Sequence, residues 1–582
     1  MYHRGLAVLM RGWHYLEMDF DALTDRRHGR RLALESTAAF ALSLAFLLAL
    51  APAAPFTKEL GVCESGAIRD VLSGNVVLPH YSPGTLVQVP PMYWWAAAMV
   101  VRLFGWNEIG LRAPSILATA FTSAILYAWL ASSMSRRVAL WSVPILLSTQ
   151  YIADAARQPR MDAILMMFLT ATMVSLERAL SERPMRKVLL AIGAVSMAGA
   201  ILTKGPLGLI LPALALTLFL AFERRLPELF RFDVIATFVV ALAISAVWYL
   251  AALRVGGRAF FEFQIVHGLL RRFLGAAAGI AGECQNPFYY FIPRLVSGFL
   301  PWSLFYPALA AMLWTDRAKT PLPVTFAVCW FVAILGFFTI SAGKCLVYIL
   351  PLFPALAALM GWLIATDRPR DMGLSRRFFD WATITIASGI LVIIVAAIAL
   401  VFSGLAPALN SHLHRSDKRF LELLVAFTAQ GSPGVLLWSS LSILGAVLAL
   451  SSISRGRAFA QSAGVALIAI AGTLFWYGSM NPALASEETL KPFAAVVDRT
   501  VPPGVPIGYI GQPDCDLSFY SNHAIAPWKN FQCAAESRGA FFLVWQDRLA
   551  KLGPEQRACL DPLARSSPID SHGARVLMIE RK

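Results

Sequence analysis

Residues 379–403 read FDWATITIASGILVIIVAAIALVFS, with Asp380 the only ionisable side chain. A helix of this length rises about 37 Å at about 1.5 Å per residue, enough to cross roughly 30 Å of hydrocarbon. Similar runs recur near 34–54, 111–133, 138–153, 162–180, 187–203, 206–222, 233–254, 290–313, 322–341, 345–364, 435–453 and 460–478. Inside lipid every backbone N–H and C=O must find an internal partner, so such segments are helices or strands of a closed barrel. These runs are continuous rather than alternating, which selects helices. The expectation is a polytopic α-helical membrane protein with about thirteen transmembrane helices.

Composition supports this class. The chain of 582 residues is 57% hydrophobic and 15% charged, with mean hydropathy +0.61. Soluble domains carry roughly a quarter charged residues. The net charge of +15 does not point to nucleic acid, because the basic residues sit in short loops between apolar runs and no aromatic-basic binding motif stands out. Segments with Arg136-Arg137, Arg183 to Lys187, Arg224 to Arg231, Arg317 to Lys319, Arg368 to Arg377 and Arg455 to Arg457 fall on one side when spans are counted alternately. By the positive-inside rule that side is cytoplasmic.

The same count organises the chain. Residues 1–33 form a cytoplasmic N-terminal segment. The transmembrane domain occupies 34–479, with outer loops at 55–110 and 255–289, and 480–582 form an outer domain. That domain has strand-like runs (VPIGYIG, AFFLVW, RVLMIE) and is expected to be small and α/β. The first apolar run is long and follows Arg26, Arg27, Arg30 and Arg31, which reads as an uncleaved anchor. Cys329 lies inside an apolar run and is expected to be inert. The other six cysteines fall on the outer side, where disulfides are allowed, with Cys533 and Cys559 the expected pair. Tyr93, Trp94 and Trp95 are expected at headgroup depth as interfacial anchors.

Ionisable residues in or beside spans are costly and mark sites. Here they fall on the outer side: Glu59, Glu64, Arg69, Arg160, Asp162, Lys204, His267, Arg271, Arg272, Lys344 and Tyr348. Taken singly, each reads as a snorkelling or loop residue. Together they suit a phosphorylated lipid: cations hold phosphate oxygens, and a carboxylate takes a proton from an acceptor.

Five segments in order carry a resemblance: PPMYWWAAAMVVRLFGWNEIGLRAPS (90–115), RQPRMDAILMMFLTA (157–171), LTKGPLGLILP (202–212), PFYYFIPRLVSGFLPWSLFYP (287–307) and SAGKCLVYILPLFPAL (341–356). Their order and spacing over roughly 35–365 resemble the ArnT-like (aminoarabinose transferase-like) glycosyltransferases of the protein O-mannosyltransferase superfamily, which have the GT-C fold. The resemblance implies transfer of a sugar from an undecaprenyl-phosphate carrier to lipid A, another glycolipid or a protein hydroxyl, on the periplasmic side of the bacterial inner membrane. Aminoarabinose is the sugar it implies, with hexosyl transfer also open. No cofactor is implied, since the donor is itself activated.

The resemblance also implies roles. Lys344, Tyr348 and Arg271 would hold the donor phosphate, with His267, Arg272 and Lys204 at matching motif positions. Asp162 would position the acceptor or sugar. Two departures stand out. Where the family's first outer loop begins with a catalytic Asp, KELGVCESGAIRDVLSGN (58–75) places Leu60 or Gly61, leaving Glu59 or Glu64 as substitutes and Arg69 within the motif. The family's Glu-Lys-Pro-Pro becomes Gln88-Val89-Pro90-Pro91, so Gln88 replaces a potential ligand and no metal is expected.

Two other classes compete. A catalytically degenerate member that only binds the carrier lipid accords with the missing Asp. A lipid or solute transporter would show repeats and mid-membrane charges; no internal repeat is visible, and the charges gather at one surface.

Overall fold

The computed structural model describes residues 26–580 apart from 52–53, 58–59, 83–84, 88, 182–185, 263–285, 316, 367–372, 404–414, 511–513, 528–539 and 568–573. The first span is α1 (Arg26–Leu50). A 3₁₀ turn, Leu60–Glu64, then leads into α2 (Ser65–Leu72), a small hairpin of β1 (His80–Ser82) and β2 (Thr85–Leu86), and α3 (Met92–Phe104).

The helix bundle continues with α4 (Glu108–Ser133), α5 (Arg136–Leu147), α6 (Gln150–Arg157), α7 (Asp162–Ser181), α8 (Arg186–Lys204), α9 (Leu207–Phe222) and α10 (Phe232–Phe260). After it come α11 (Phe291–Gly298), α12 (Tyr306–Thr315), α13 (Leu322–Ile340), α14 (Phe353–Ala365), α15 (Gly373–Ser403), α16 (Arg415–Ala429), α17 (Pro433–Ile453) and α18 (Ala458–Phe475).

Among the described residues, ten helices are long and apolar enough to cross a membrane. The expected span at 290–313 is a helix pair bent by 109°, which would make eleven. The expected spans at 138–153 and 206–222 are helical but short, at 12 residues in α5 and 16 in α9. At about 1.5 Å per residue neither alone reaches across roughly 30 Å.

Large aromatics fill the space between helices: Trp129, Trp302 and Trp330 are fully buried. Small residues allow the closest crossing. A Cβ on Gly445 of α17 would stand 2.7 Å from the Gly464 carbonyl oxygen of α18, so that glycine pair sets how near the two backbones lie. Outward apolar side chains such as Val392, Val395 and Phe402 on α15 are exposed, a surface suited to lipid tails.

From α18 the chain passes through α19 (Asn481–Glu488) and α20 (Lys491–Thr500) into the C-terminal domain. That domain contains β3 (Ile507–Ile510), α21 (Cys515–Tyr520), β4 (Ile525–Pro527), β5 (Phe541–Trp545), α22 (Gln546–Leu549), α23 (Pro554–Ala558), β6 (Leu560–Arg565) and β7 (Arg575–Glu580). The sheet order is β4-β3-β5-β7-β6. β3 runs parallel to β4 and β5, and β7 runs antiparallel to β5 and β6. One face packs Phe493, Val497, Tyr509 and Leu543; the other packs Phe542, Val544 and Met578. The three strand-like sequence runs are β3, β5 and β7.

The attachment of this domain differs from the expected Cys533–Cys559 pairing alone. Cys63, in the 3₁₀ turn, is disulfide-bonded to Cys515, the first residue of α21. Cys559 and Cys345 are also disulfide-bonded, while Cys533 of the expected pair lies outside the described residues. Cys329 is buried and free.

Candidate active site

Charged side chains at one end of the bundle pair with one another: Arg136 with Glu35 at 3.0 Å, Arg186 with Asp233 at 2.5 Å, and Arg376 with Asp380 at 2.9 Å. At the other end, where α7 begins and α8 finishes, the pairing leaves functional capacity. Asp162 opens α7, is 3% exposed, and its Oδ1 accepts a charge-assisted hydrogen bond from Lys204 Nζ at the last residue of α8. Its Oδ2 lies 3.3 Å from Arg160 Nε yet accepts no hydrogen bond among the described residues. A buried carboxylate oxygen with a spare lone pair can accept a further hydrogen bond. The Lys204 ammonium also stands 4.8 Å over the Tyr348 ring, a cation–π contact that fixes its direction. The structure therefore brings together Asp162, Lys204 and Tyr348, three residues drawn from distant motifs.

Lys344 precedes the 3₁₀ segment Leu346–Leu352 that carries Tyr348. It is 7% exposed, and its Nζ donates to the Ser341 carbonyl at 2.7 Å. An ammonium has three protons, and among the described residues only this one is committed to a hydrogen bond.

Glu64 closes the 3₁₀ turn and is partly buried. Its Oε2 accepts from Trp94 Nε1 at 2.6 Å. Burial pushes the carboxyl up to about 7, against the Trp94 hydrogen bond, the nearby Arg160 guanidinium and a hydrogen bond with Tyr81, while the neighbouring Asp162 charge adds to the rise. Gly61 explains how this turn comes so near Arg160. A Cβ there would meet the Pro159 carbonyl oxygen at 2.6 Å, so only glycine lets the turn settle on that segment. Glu64, Arg160 and Asp162 thus form one electrostatic group.

Trp94 corrects an expectation. The sequence suggests an interfacial anchor here and at Tyr93, but both are fully buried. The buried face of α3 (Tyr93, Trp94, Ala97, Ala98, Val101) packs against the first outer loop and α4, so the indole turns inward to Glu64. That helical spacing is a signal present in the sequence. Arg69 faces elsewhere: its guanidinium donates to the Phe519 and Ser521 carbonyls, both at 3.0 Å. Glu59, Gln88, His267, Arg271 and Arg272 lie outside the described residues. Asp514, beside Cys515, binds Arg575 at 2.5 Å within the C-terminal sheet and is a structural pair.

The fold defines a multi-pass, GT-C-type membrane protein with its polar cluster at one end of the bundle. A family model described as dolichyl-phosphate-mannose-protein mannosyltransferase matches residues 88–250. The chain is 31% identical over 301 residues to undecaprenyl phosphate-alpha-4-amino-4-deoxy-L-arabinose arabinosyl transferase 1 of Pseudomonas fluorescens, covering 50% of each chain. It is 32% identical over 338 residues to the corresponding transferase of Pectobacterium atrosepticum, covering 57% of this chain and 59% of that one. The chain thus spans about half the length of the curated relatives it matches. The crystal structure of ArnT from Cupriavidus metallidurans bound to undecaprenyl phosphate superposes with TM-score 0.71 at 20% identity, covering 93% of this chain and 97% of that one. In fold the chain resembles the ArnT structure, and over about half its length it is similar in sequence to the arabinosyl transferases.

Proposed function

We propose that this protein transfers a sugar from an undecaprenyl-phosphate carrier to lipid A or a related acceptor at the periplasmic face of the bacterial inner membrane. The observation that carries the reading is the grouping of Glu64, Arg160, Asp162 and Lys204 at one end of the bundle. Kinship to transferases named for such a donor adds support.

In this reading the acceptor oxygen attacks the anomeric carbon, and the bond from that carbon to the carrier phosphate breaks. The electron pair leaves with the phosphate. Glu64, one of the two acids that flank the position where the family has its Asp and the one grouped with Arg160 and Asp162, accepts the acceptor's proton. A base with pKa near the working pH is the efficient choice. Asp162 Oδ2 would accept a hydrogen bond from a hydroxyl of the sugar or acceptor. Lys344 would stabilise the departing phosphate in a site poor in water, with Arg271, Arg272 and His267 joining it by motif position. The departed motif at Gln88 leaves both pentosyl and hexosyl donors open, and the presence of a carboxylate in the cluster favours an active enzyme over a degenerate one.

The test compares, by mass spectrometry, glycolipids and carrier-linked sugars in a deletion strain and its complemented parent. A sugar mass lost from lipid A with accumulation of charged carrier is expected. Unchanged glycolipid and carrier pools, with the protein expressed in the parent, would overturn the proposal.

A further inference from the structure

The turn that ends on Glu64 is held from two sides. On the inner side Gly61 rests on the Pro159 carbonyl and the Arg160 side chain. On the outer side Cys63 is bonded to Cys515, the first residue of α21. The far end of α21 closes on the same loop. The Tyr520 hydroxyl accepts the Phe56 N–H at 2.7 Å and donates to Glu108 at 3.1 Å. Arg69 of α2 donates to the carbonyls of Phe519 and Ser521, and its guanidinium lies 4.7 Å over the Trp106 ring. Trp106 in turn donates to the Phe519 carbonyl at 3.1 Å, and Phe56 meets Phe519 edge-on at 4.9 Å.

Neither partner in this contact orders itself. The 3₁₀ turn has five residues and α21 has six, both far below the length at which an isolated helix holds in water. Fixing each residue's backbone costs about 1–2 kcal/mol, so the turn keeps one geometry only where outside contacts offset that cost. A carboxylate serving as a base has to be held to within about half an ångström.

We infer that the C-terminal domain is a positioning element for the proposed base: through the Cys63–Cys515 disulfide and the Arg69 clamp it holds the turn bearing Glu64 against Arg160 and Asp162. The inference rests on the transferase reading above. Cys63, Cys515 and Arg69 are positioning residues that act through Glu64 and touch no substrate. Helix α21 packs on the outer face of the turn, which links the sheet domain to the chemistry without placing any of its side chains in the site.

The experiment uses the full chain in lipid nanodiscs, with Cys63→Ser/Cys515→Ser as one variant and Arg69→Gln, which leaves the disulfide intact, as the other. Substitution is preferred to a thiol reductant, which would also open the disulfides at Cys345 and Cys559. Two quantities are read: amide hydrogen exchange over residues 60–72, and steady-state transfer from undecaprenyl-phosphate-linked 4-amino-4-deoxyarabinose to lipid A. Exchange over 60–72 is expected to accelerate at least tenfold while the bundle amides stay protected. In the same variants kcat is expected to fall tenfold or more, with KM for the donor unchanged. Unchanged exchange over 60–72, or accelerated exchange with undiminished kcat, overturns the inference. If the parent itself shows no transfer from this donor, the aminoarabinose form of the transferase reading fails and exchange alone decides whether the domain holds the turn. Should the disulfide variant not accumulate, Arg69→Gln answers on both readouts.

Discussion

Trp94 donates its indole N–H to the Glu64 carboxylate at 2.6 Å, joining α3 to the 3₁₀ turn that follows the first span, across 30 residues of sequence. The bond favours the charged carboxylate, while burial favours the neutral acid and wins, leaving Glu64 near 7. For a base the sign is direct: the competent, ionised form is lost as pH falls through about 7. Transfer should therefore decline about tenfold per unit below pH 7 and level off above it, measured as kcat against pH. Glu64→Gln should remove both the activity and the pH limb while keeping carrier binding.

Trp94→Phe deletes the donor while keeping an aromatic ring at a buried position. A hydrogen bond to a charged group contributes about 1.5–3 kcal/mol, and about 1.4 kcal/mol corresponds to one pH unit. The acid limb of the profile should move up by roughly one to two units. A limb that stays in place would separate Glu64 from the titration.

Lys204 and Asp162 form the innermost ion pair of the cluster. Removing one partner of a buried pair costs about 3–5 kcal/mol, and Lys204→Met should fall at the low end because Arg160 still faces Asp162. Asp162→Asn/Lys204→Met should regain most of that stability without regaining activity. Thermal unfolding in detergent together with transfer assays on the two single variants and the double variant measures both parts.

At Gly61 the constraint is steric. Gly61→Ala would press a methyl group on the Pro159 carbonyl and should destabilise by about 1–3 kcal/mol, the usual cost of overpacking. Since the displaced turn carries Glu64, kcat should drop further than the stability loss explains. Differential scanning fluorimetry beside kinetics tests this.

Among the described residues Lys344 keeps two ammonium protons beyond the one given to Ser341. Lys344→Ala should weaken binding of undecaprenyl phosphate by about 10- to 100-fold, equivalent to the roughly 1.5–3 kcal/mol of a charged hydrogen bond. Titration with undecaprenyl phosphate in nanodiscs reads it directly.

The helical class was legible because long apolar runs admit one solution in lipid, and β3, β5 and β7 were legible because their runs are dense in apolar and β-branched residues. β4 (IAP) and β6 (LDPLAR) were not: short segments containing proline carry no strand signal, and they exist by pairing with β3 and β7. Asp162 and Lys204 were both visible as costly charges, but their mutual bond depends on how α7 packs against α8. Choosing Glu64 as the acid in the cluster required the contact of Gly61 with Pro159 and the bond of Cys63 to Cys515, neither of which is local in sequence. Trp94 was misplaced because aromatic composition gives no direction; the spacing of its buried neighbours on α3 does.

The bond between Cys63 and Cys515 spans 452 residues, and this separation imposes an order on biosynthesis. At about 5–20 residues per second, Cys63 waits on the order of tens of seconds after its own synthesis before its partner exists. Throughout that interval the loop bearing Glu64 lacks its outer wall. A chain that stalls or is cut anywhere before residue 515 can insert most of its helices yet never close its site. If the protein is the transferase proposed above, completion of the last domain would license catalysis, and an unfinished copy in the membrane would leave the carrier-linked sugar pool untouched.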